Sequence, residues 1–274
     1  MRRSLAAFSS RSLEERGAWY TPAAEAYARG RPAYDPALIA QVVAAAGLTA
    51  SSRVLELGCG PGTATAALAP LGCSLLALEP NPAFCALANQ RCRSFSNVTV
   101  EPLAFETWPL QAAAFDAVLA ASSFHWIEPA VACTKAAAAL RPGGALILLW
   151  NKELQPSEAF HQRSAPLYAE LAPQLHRRED RSTQVAILNA LEAVLIDPQV
   201  FSPPLSGLVD SRFSSSAERY LDLLASYSGY LQLDPEVRNL LFERLHLLME
   251  SEWDGQLPLT LLSGWQVARK IDGG

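Results

Sequence analysis

The sequence has no excess of positive charge. Its 274 residues include 22 lysines and arginines against 27 aspartates and glutamates, which gives a formal net charge of −5 at pH 7. Basic and acidic residues alternate along most of the chain, so no overall positive field is available to attract a phosphate backbone. We therefore expect no nucleic-acid partner.

The cysteine and histidine patterns of metal sites are also missing. The five cysteines form no CxxC pair and their number is odd, which disfavours a disulfide framework or a zinc cage. The four histidines share no metal-ligand spacing, so no metal site is predicted. Unpaired cysteines in a chain of this length fit a reducing, cytoplasmic compartment.

Long apolar runs are absent. No uncharged apolar stretch approaches the length of a membrane span, so we expect a soluble protein without a membrane partner. The short apolar run at residues 5–8 does not make a secretory signal, although an organellar presequence stays open as an alternative. Internal repeats are lacking too, and a single domain is expected over residues 1–274.

Short apolar runs alternate with helical segments through the first half of the chain. This alternation is typical of βαβ units on a parallel sheet, and strands this apolar should be covered by helices on both faces. The strand candidates are Arg53 to Leu57, Ser74 to Glu79, Asn97 to Glu101, Phe115 to Ala121 and Gly144 to Trp150.

The second half of the chain has mainly helical patterns. Helices are predicted at Ser157 to Leu175, at Thr183 to Ile196 and from Asp234 onward, and residues 257–270 are predicted as a closing strand. We interpret the helices between the late strands as a cap over the carboxyl edge of the sheet. The expected organisation is an α/β fold with N-terminal helices in 1–50, a core in 51–151, and the cap with closing strands in 152–274.

A glycine-rich loop follows the first predicted strand. Gly58, Gly60 and Gly62 permit backbone angles that other residues avoid, and they let a ligand approach the main chain. Free N–H groups at the start of the next helix favour a negative or strongly polar group. Glu79 ends the second strand, where its carboxylate can accept hydrogen bonds from both hydroxyls of a ribose. Together these features predict a nucleoside-containing cofactor.

The spacing of this loop separates two cofactor classes. Dinucleotide-binding loops have the pattern GxGxxG, whereas Thr63 stands at the place of the third glycine and Glu56 precedes the loop. An acid followed by GxGxG resembles the first motif of class I S-adenosylmethionine-dependent methyltransferases. Phe105 to Pro129 and Leu140 to Asn151 resemble that family's fourth-strand and fifth-strand motifs. The similarity is strongest to the small-molecule group that includes trans-aconitate methyltransferase and the quinone C-methyltransferases.

The resemblance implies a Rossmann-like, seven-stranded, mostly parallel sheet with a helical cap inserted between the late strands, and S-adenosylmethionine as cofactor. It implies a methionine site at the glycine loop, a ribose site at the second strand and an adenine site after the third. The family often has Asp at the position of Ala104, so an expected hydrogen bond to the adenine amino group is missing. The residues implied to bind the cofactor are Tyr27, Arg31, Glu56, Gly58, Gly60, Gly62, Glu79, Pro80, Ala104, Phe105, Ala121 and Ser122.

Four further residues are candidates for the acceptor side of the site. His125, after the fourth predicted strand, is a candidate catalytic base, although a structural hydrogen-bonding role is equally compatible with its position. A carboxylate acceptor would need no base, whereas a hydroxyl or an acidic carbon would. Trp126, Tyr227 and Tyr230 are predicted to line the substrate pocket.

We therefore predict an enzyme that transfers a methyl group from S-adenosylmethionine to a small organic acceptor. The acceptor group is a carboxylate, a hydroxyl or an activated carbon. An NAD(P)-dependent oxidoreductase is one alternative, against which Pro61 and Thr63 argue. A non-catalytic nucleoside-binding regulatory module is the other, and it stays open because methyl transfer requires no obligatory side chain.

Overall fold

An eight-stranded sheet forms the centre of this computed structural model, which describes residues 11–271. Residues 1–10 and 272–274 lie outside the described part, and with them most of the segment on which the presequence alternative depends. The strands are β1 (Arg53–Leu57), β2 (Ser74–Leu78), β3 (Val98–Glu101), β4 (Phe115–Ala121), β5 (Leu140–Asn151), β6 (Gln155–Pro156), β7 (Leu205–Ser216) and β8 (Gln256–Arg269).

The sheet is mostly parallel. Strands β3, β2, β1, β4 and β5 lie side by side in that order and run in one direction. β8 pairs antiparallel with β5, and the two-residue β6 continues along the same edge of β8. β7 pairs antiparallel with the other edge of β8 over its whole length. The predicted Rossmann-like architecture is confirmed, with seven longer strands and the short β6 as an addition.

Eleven α-helices flank this sheet within the described residues. They are α1 (Leu13–Ala18), α2 (Ala24–Gly30), α3 (Pro36–Ala46), α4 (Thr63–Leu68), α5 (Pro82–Cys92), α6 (Pro129–Ala139), α7 (Glu158–Leu171), α8 (Arg181–Leu195), α9 (Ala217–Ala225), α10 (Ser228–Leu231) and α11 (Pro235–Trp253). The side chains of Asp35 and Asn81 accept hydrogen bonds from the first turns of α3 and α5, and a proline occupies the first position of each helix. None of these helices is both long enough and apolar enough to cross a bilayer.

Apolar side chains cover both faces of the sheet. Val54 and Leu55 are adjacent in β1 and fully buried, yet they belong to opposite hydrophobic clusters because successive side chains of a strand point to opposite faces. Helices α3 and α4 pack on one face, and α6 and α8 pack on the other. A third cluster joins α7, α9 and α11 and forms the core of the cap.

Strand β7 was not predicted from the sequence. It contains five serines, and Leu205 at its start is 63% exposed, so it lacks the apolar run of a central strand. It forms because β8, which is mostly buried, offers it a complete row of backbone partners. Pairing with a buried neighbour therefore overrides a weak local pattern at the sheet edge.

The N-terminal helix α2 packs directly on α9 of the cap. A Cβ atom at Gly30 would lie 2.4 Å from the backbone nitrogen of Leu223, so only glycine permits this approach. Beside it, the Arg29 guanidinium donates to both carboxylate oxygens of Asp222, at 2.7 and 2.9 Å. The contact holds residues 24–30 against the cap, next to the carboxyl edge of the sheet.

Replacement of Gly30 by alanine should force α2 away from α9 and lower the free energy of unfolding by about 1–3 kcal/mol. Urea unfolding of both proteins measures the change. Gly17→Ala in α1 is the matched control, because its new Cβ would find its nearest neighbour, an atom of Pro80, at an ordinary 3.6 Å. Equal losses in the two variants would contradict the close packing at Gly30.

Candidate active site

A cavity of about 300 Å³ opens at the carboxyl ends of the central strands. β1 pairs with β2 on one side and with β4 on the other, so the connections from β1 and β4 leave in opposite directions. Such a change of direction opens a crevice at the sheet edge, which is where open α/β sheets bind ligands. The N-terminal helices and Tyr227 of the cap complete its walls.

The glycine loop forms one wall of this cavity. Gly58 and Gly60 line it with φ angles of 63° and 56°, in the left-handed region that favours glycine. A Cβ at Gly58 would lie 2.9 Å from the Cβ of Ser123, whereas no atom lies within 4 Å of the corresponding point at Gly60. Gly62 does not line the cavity. It faces α5, where a Cβ would meet the Cα of Ala88 at 3.1 Å, so this glycine serves helix packing.

The carboxyl group of Glu79 connects three parts of the site. It follows β2 and is only 6% exposed. Its Oε2 accepts the N–H of Gly60 at 2.7 Å, and its Oε1 accepts the N–H of Asn81 at 2.9 Å. Burial raises the pKa of this group to about 7. Each carboxyl oxygen has a second lone pair, so the group retains acceptor capacity toward a ligand in the cavity.

Glu56 lies behind the loop and does not line the cavity. It is fully buried, and its Oε2 accepts the hydroxyl hydrogen of Thr65 at 2.6 Å. Burial raises its pKa to about 8. Within residues 11–271 its Oε1 has no hydrogen-bond partner. In this structure Glu56 therefore attaches α4 to β1.

The loop after β3 bounds the opposite end of the cavity. Ala104 and Phe105 both line it, and the Phe105 ring is stacked on Trp108. The ammonium of Lys135, from α6, donates to the carbonyl oxygens of Phe105, Glu106 and Trp108 at 2.7, 3.0 and 2.6 Å. Lys135 therefore fixes the loop, a role that no motif in its alanine-rich segment indicated.

Arg31 stands between the cavity and the cap. Its Nε donates to Ser226 Oγ at 2.8 Å and its Nη2 donates to the Ser226 carbonyl at 3.0 Å. Its guanidinium lies 4.8 Å from the ring centre of Tyr27 and 4.3 Å from that of Tyr227. Arg31 forms no ion pair with any residue of the described part, so its positive charge is available to an anionic ligand group.

The segment after β4 contributes Ala121, Ser122, His125 and Trp126 to the cavity. Ser122 has a φ of 55°, a strained value for a residue other than glycine, and such strain is often found at functional sites. The His125 ring centre lies 5.8 Å from those of Trp126 and Trp150. Burial lowers the pKa of His125 to about 4, so its imidazole is neutral at pH 7 and weakly basic. Its role as a base stays a prediction.

Most of the residues predicted for the site therefore surround one cavity. Glu56 and Gly62 stand behind it, and Tyr230 lines a second cavity in the cap rather than this one. Those that line the first cavity are Tyr27, Arg31, Gly58, Gly60, Glu79, Pro80, Ala104, Phe105, Ala121, Ser122, His125, Trp126 and Tyr227.

Sequence reasoning missed a lid formed by α1. Arg16 forms an ion pair with Glu106 at 2.7 Å and also donates to the carbonyl of Trp126; the two charged side chains are 11% and 12% exposed. Leu13 and Tyr20 line the cavity from the same side. These contacts join positions about 90 to 110 residues apart, and no local pattern indicates them.

The structure also brings together one cluster that histidine spacing did not reveal. Ligand atoms of Glu218, His246 and Glu250 lie within 4.8 Å of one another on α9 and α11. Both glutamates are exposed and the cluster is separate from the cavity residues. We assign it no function.

Fold and cavity define a Rossmann-like α/β protein with a candidate ligand site at its switch point. Residues 55–148 match the methyltransferase domain family. This match supports the resemblance to class I S-adenosylmethionine-dependent methyltransferases that the sequence motifs implied.

Curated relatives match part of the chain in sequence. An uncharacterized methyltransferase of Mycobacterium tuberculosis (strain H37Rv) is 40% identical over 126 residues, which are 46% of this chain and 49% of that protein. A demethylmenaquinone methyltransferase of Tropheryma whipplei (strain Twist) is 31% identical over 104 residues, 37% of this chain and 43% of that protein. The chain thus spans about half the length of the curated relatives it matches.

Solved structures extend the likeness of fold over most of the chain. A structure from Anaeromyxobacter dehalogenans, assigned as a type II methyltransferase, has a TM-score of 0.66 at 19% identity, covering 87% of this chain and 97% of its own. The cyclase SpnF has a TM-score of 0.52 at 17% identity, covering 96% and 98%. At these identities the likeness concerns the fold alone.

The buried carboxyl of Glu56 should make stability depend on pH. Burial raises the pKa of Glu56 from its ordinary value of 4.5 to about 8 in the folded protein. The contribution of the protonated carboxyl to the free energy of unfolding is therefore fully present below pH 4.5. It is lost as the pH rises toward 8. The side chain of Glu56→Gln stays neutral. As the pH rises from 5 to 8, the free energy of unfolding of this variant should therefore increase by about 2–4 kcal/mol relative to that of the wild type.

Urea unfolding at several pH values measures this difference. Glu243→Gln on the exposed surface of α11 is the control, and its profile should follow that of the wild type. If Glu56→Gln and the wild type change in parallel across the range, the Glu56 carboxyl is not held neutral by the fold.

Proposed function

We propose that the protein transfers a methyl group from S-adenosylmethionine to a small organic acceptor. The observation that carries this proposal is the hydrogen bond from the Gly60 N–H to the Glu79 carboxyl at the switch point of the sheet. Both residues lie within the segment that matches the methyltransferase domain family. The activity cannot be taken from the fold alone, because a protein named as a cyclase shares it.

The residues of the first cavity fit the parts of this cofactor. The free lone pairs of Glu79 suit the two ribose hydroxyls, and Phe105 with Ala104 offers an apolar surface for adenine. Arg31 and Tyr27 lie at the side of the cavity nearest the cap. Ala104 provides no side-chain acceptor for the adenine amino group, so backbone groups of that loop would have to bind it.

Bound S-adenosylmethionine supplies a methyl group that its sulfonium has already activated. The chain therefore has to align the acceptor and keep water away rather than generate a reactive group. The ion pair of Arg16 with Glu106 closes α1 over the cavity and serves the second task. The neutral, weakly basic His125 supports acceptors that need no strong base.

The nicotinamide alternative is less well supported. Glu79 would suit the ribose of either cofactor, but the packing of Gly62 against α5 occurs two residues after Gly60, in the GxGxG spacing rather than in GxGxxG. A regulatory module that binds a nucleoside without catalysis would use the same cavity, and a test must therefore include turnover.

S-adenosylhomocysteine should bind the protein and raise its melting temperature, whereas NADH should do neither. Glu79→Ala should weaken S-adenosylhomocysteine binding by about 1–3 kcal/mol, because two ribose hydroxyls lose their acceptors. Isothermal titration calorimetry measures both affinities. Glu101→Ala, which removes a carboxyl from the end of the neighbouring β3 outside the cavity, is the control and should bind normally.

Two results would contradict the proposal. Binding of NADH in preference to S-adenosylhomocysteine would favour the oxidoreductase. Equal affinity of Glu79→Ala and the wild type would place the ribose elsewhere.

A further inference from the structure

A second cavity, of about 280 Å³, lies inside the cap. It is enclosed by β6, α7, α9 and α10, none of which belongs to the segment that matches the methyltransferase domain family. Its volume is close to the lower limit of roughly 300 Å³ at which ligand pockets usually begin. It therefore suits a small molecule.

Three side chains line both cavities and form the boundary between them: Tyr20, Arg31 and Tyr227. Each is fixed by the cap. The Tyr20 hydroxyl lies 3.2 Å from Ser228 Oγ, Arg31 donates to Ser226, and the Tyr227 hydroxyl accepts the N–H of Leu154 at 3.3 Å. A ligand in the cap cavity would lie directly across this boundary from a ligand in the first cavity.

The cap cavity is rich in hydrogen-bond donors. The hydroxyl oxygens of Tyr168 and Tyr230 lie 2.7 Å apart, so one hydroxyl donates a hydrogen bond to the other. The hydrogen of the accepting hydroxyl is left for a ligand. Tyr220 is buried in the lining, and its hydroxyl bonds to no other residue of the described part. Burial raises the pKa of Tyr168 to about 12 and that of Tyr220 well above its ordinary value, so both keep their hydrogens.

The charges of the lining are unequal. Glu153 is the one carboxylate among the lining residues described, and Arg177 already binds it at 2.7 Å. Arg31 forms no ion pair within residues 11–271, although the charge of Glu153 acts on it at longer range. The remaining titratable side chains are tyrosines and the stacked His161 and His176. An ammonium group would find no free carboxylate here, whereas an oxyanion would find protonated donors and a net positive charge.

We propose that this cap cavity binds the methyl acceptor and that the acceptor is a small carboxylic acid. The inference rests on the proposed methyltransferase function and adds to it the place and the chemical class of the acceptor. One oxygen of the carboxylate accepts from the donors of Tyr168, Tyr220 and Tyr230, and the other oxygen, which reacts, faces the boundary at Tyr20, Arg31 and Tyr227.

The chemistry of a carboxylate matches the groups present. One carboxylate oxygen forms a bond to the methyl carbon while the bond from that carbon to the sulfonium sulfur breaks. The electron pair of the broken bond stays on sulfur, which becomes a neutral thioether, and the product is a methyl ester. No proton moves, so the step requires no base stronger than the neutral His125.

The class of acceptor is tested with S-adenosylmethionine labelled in its methyl group. The wild-type protein is incubated with straight-chain, dicarboxylic and aromatic acids, and each acid is paired with its primary amide and its primary alcohol. Label should pass to acids and not to their matched amides or alcohols. Alkali should release that label as methanol, because methyl esters hydrolyse in base whereas methyl ethers and C-methyl groups do not.

The location is tested with variants that touch only the cap cavity. Ser164 is 1% exposed and lines that cavity, so Ser164→Leu should fill it and lower kcat/KM for the acid by more than about tenfold. Tyr220→Phe removes one donor and should lower it by about fivefold to tenfold. Both should bind S-adenosylhomocysteine within about threefold of the wild type, which also shows that they are folded. Glu79→Ala should show the opposite pattern, with weaker S-adenosylhomocysteine binding as its main defect.

The outcomes separate this inference from the proposed function. If S-adenosylhomocysteine does not bind the wild type, the proposed function fails. If it binds but label enters only the alcohols or amides, or resists alkali, the carboxylic acid is wrong. The carboxylic acid is also wrong if no label enters any compound and no acid raises the melting temperature of the S-adenosylhomocysteine complex. If Ser164→Leu methylates an acid as fast as the wild type, the acceptor does not bind in the cap cavity.

Discussion

Glu79 accepts hydrogen bonds from two backbone N–H groups, and the geometry of the site depends on these two bonds. Gly60 belongs to the loop after β1 and Asn81 to the start of α5, so one carboxyl group sets the distance between two loops at the switch point. Burying an acid is unfavourable unless its oxygens are bonded, and here the two backbone donors offset part of that cost. The left-handed φ of Gly60 favours glycine at this position, which leaves its backbone open to a ligand.

Strand β8 joins the core of the sheet to the core of the cap. Leu257, Leu259 and Leu261, near its start, belong to the core of the cap, whereas Trp265 and Val267 pack in the core of the sheet. The cap segments lie between β6 and β7 and between β7 and β8. Because β8 contributes to both cores, it connects the cap cavity to the edge of the sheet where the first cavity lies.

Local signals predicted the central fold well. β1 and β4 have the predicted bounds, because buried parallel strands form short apolar runs between turn residues. Strand β7 could not be predicted, since its stability comes from pairing with β8 rather than from its own residues. For the candidate site, the loop motifs did indicate Gly60, Glu79 and their neighbours. Arg16 and Lys135, in contrast, act through contacts with distant segments and carry no motif.

The two cavities also differ in what resemblance can reveal about them. The family match covers residues 55–148, which contain the glycine loop, Glu79 and the segment after β4, but none of the cap. A nucleoside cofactor imposes the same demands on every protein that binds it, so its site keeps a recognisable local pattern. An acceptor imposes demands only on the helices that enclose it. Under the proposed function, proteins that share the first cavity can therefore act on different molecules, and it is the side chains of the second cavity that distinguish their acceptors.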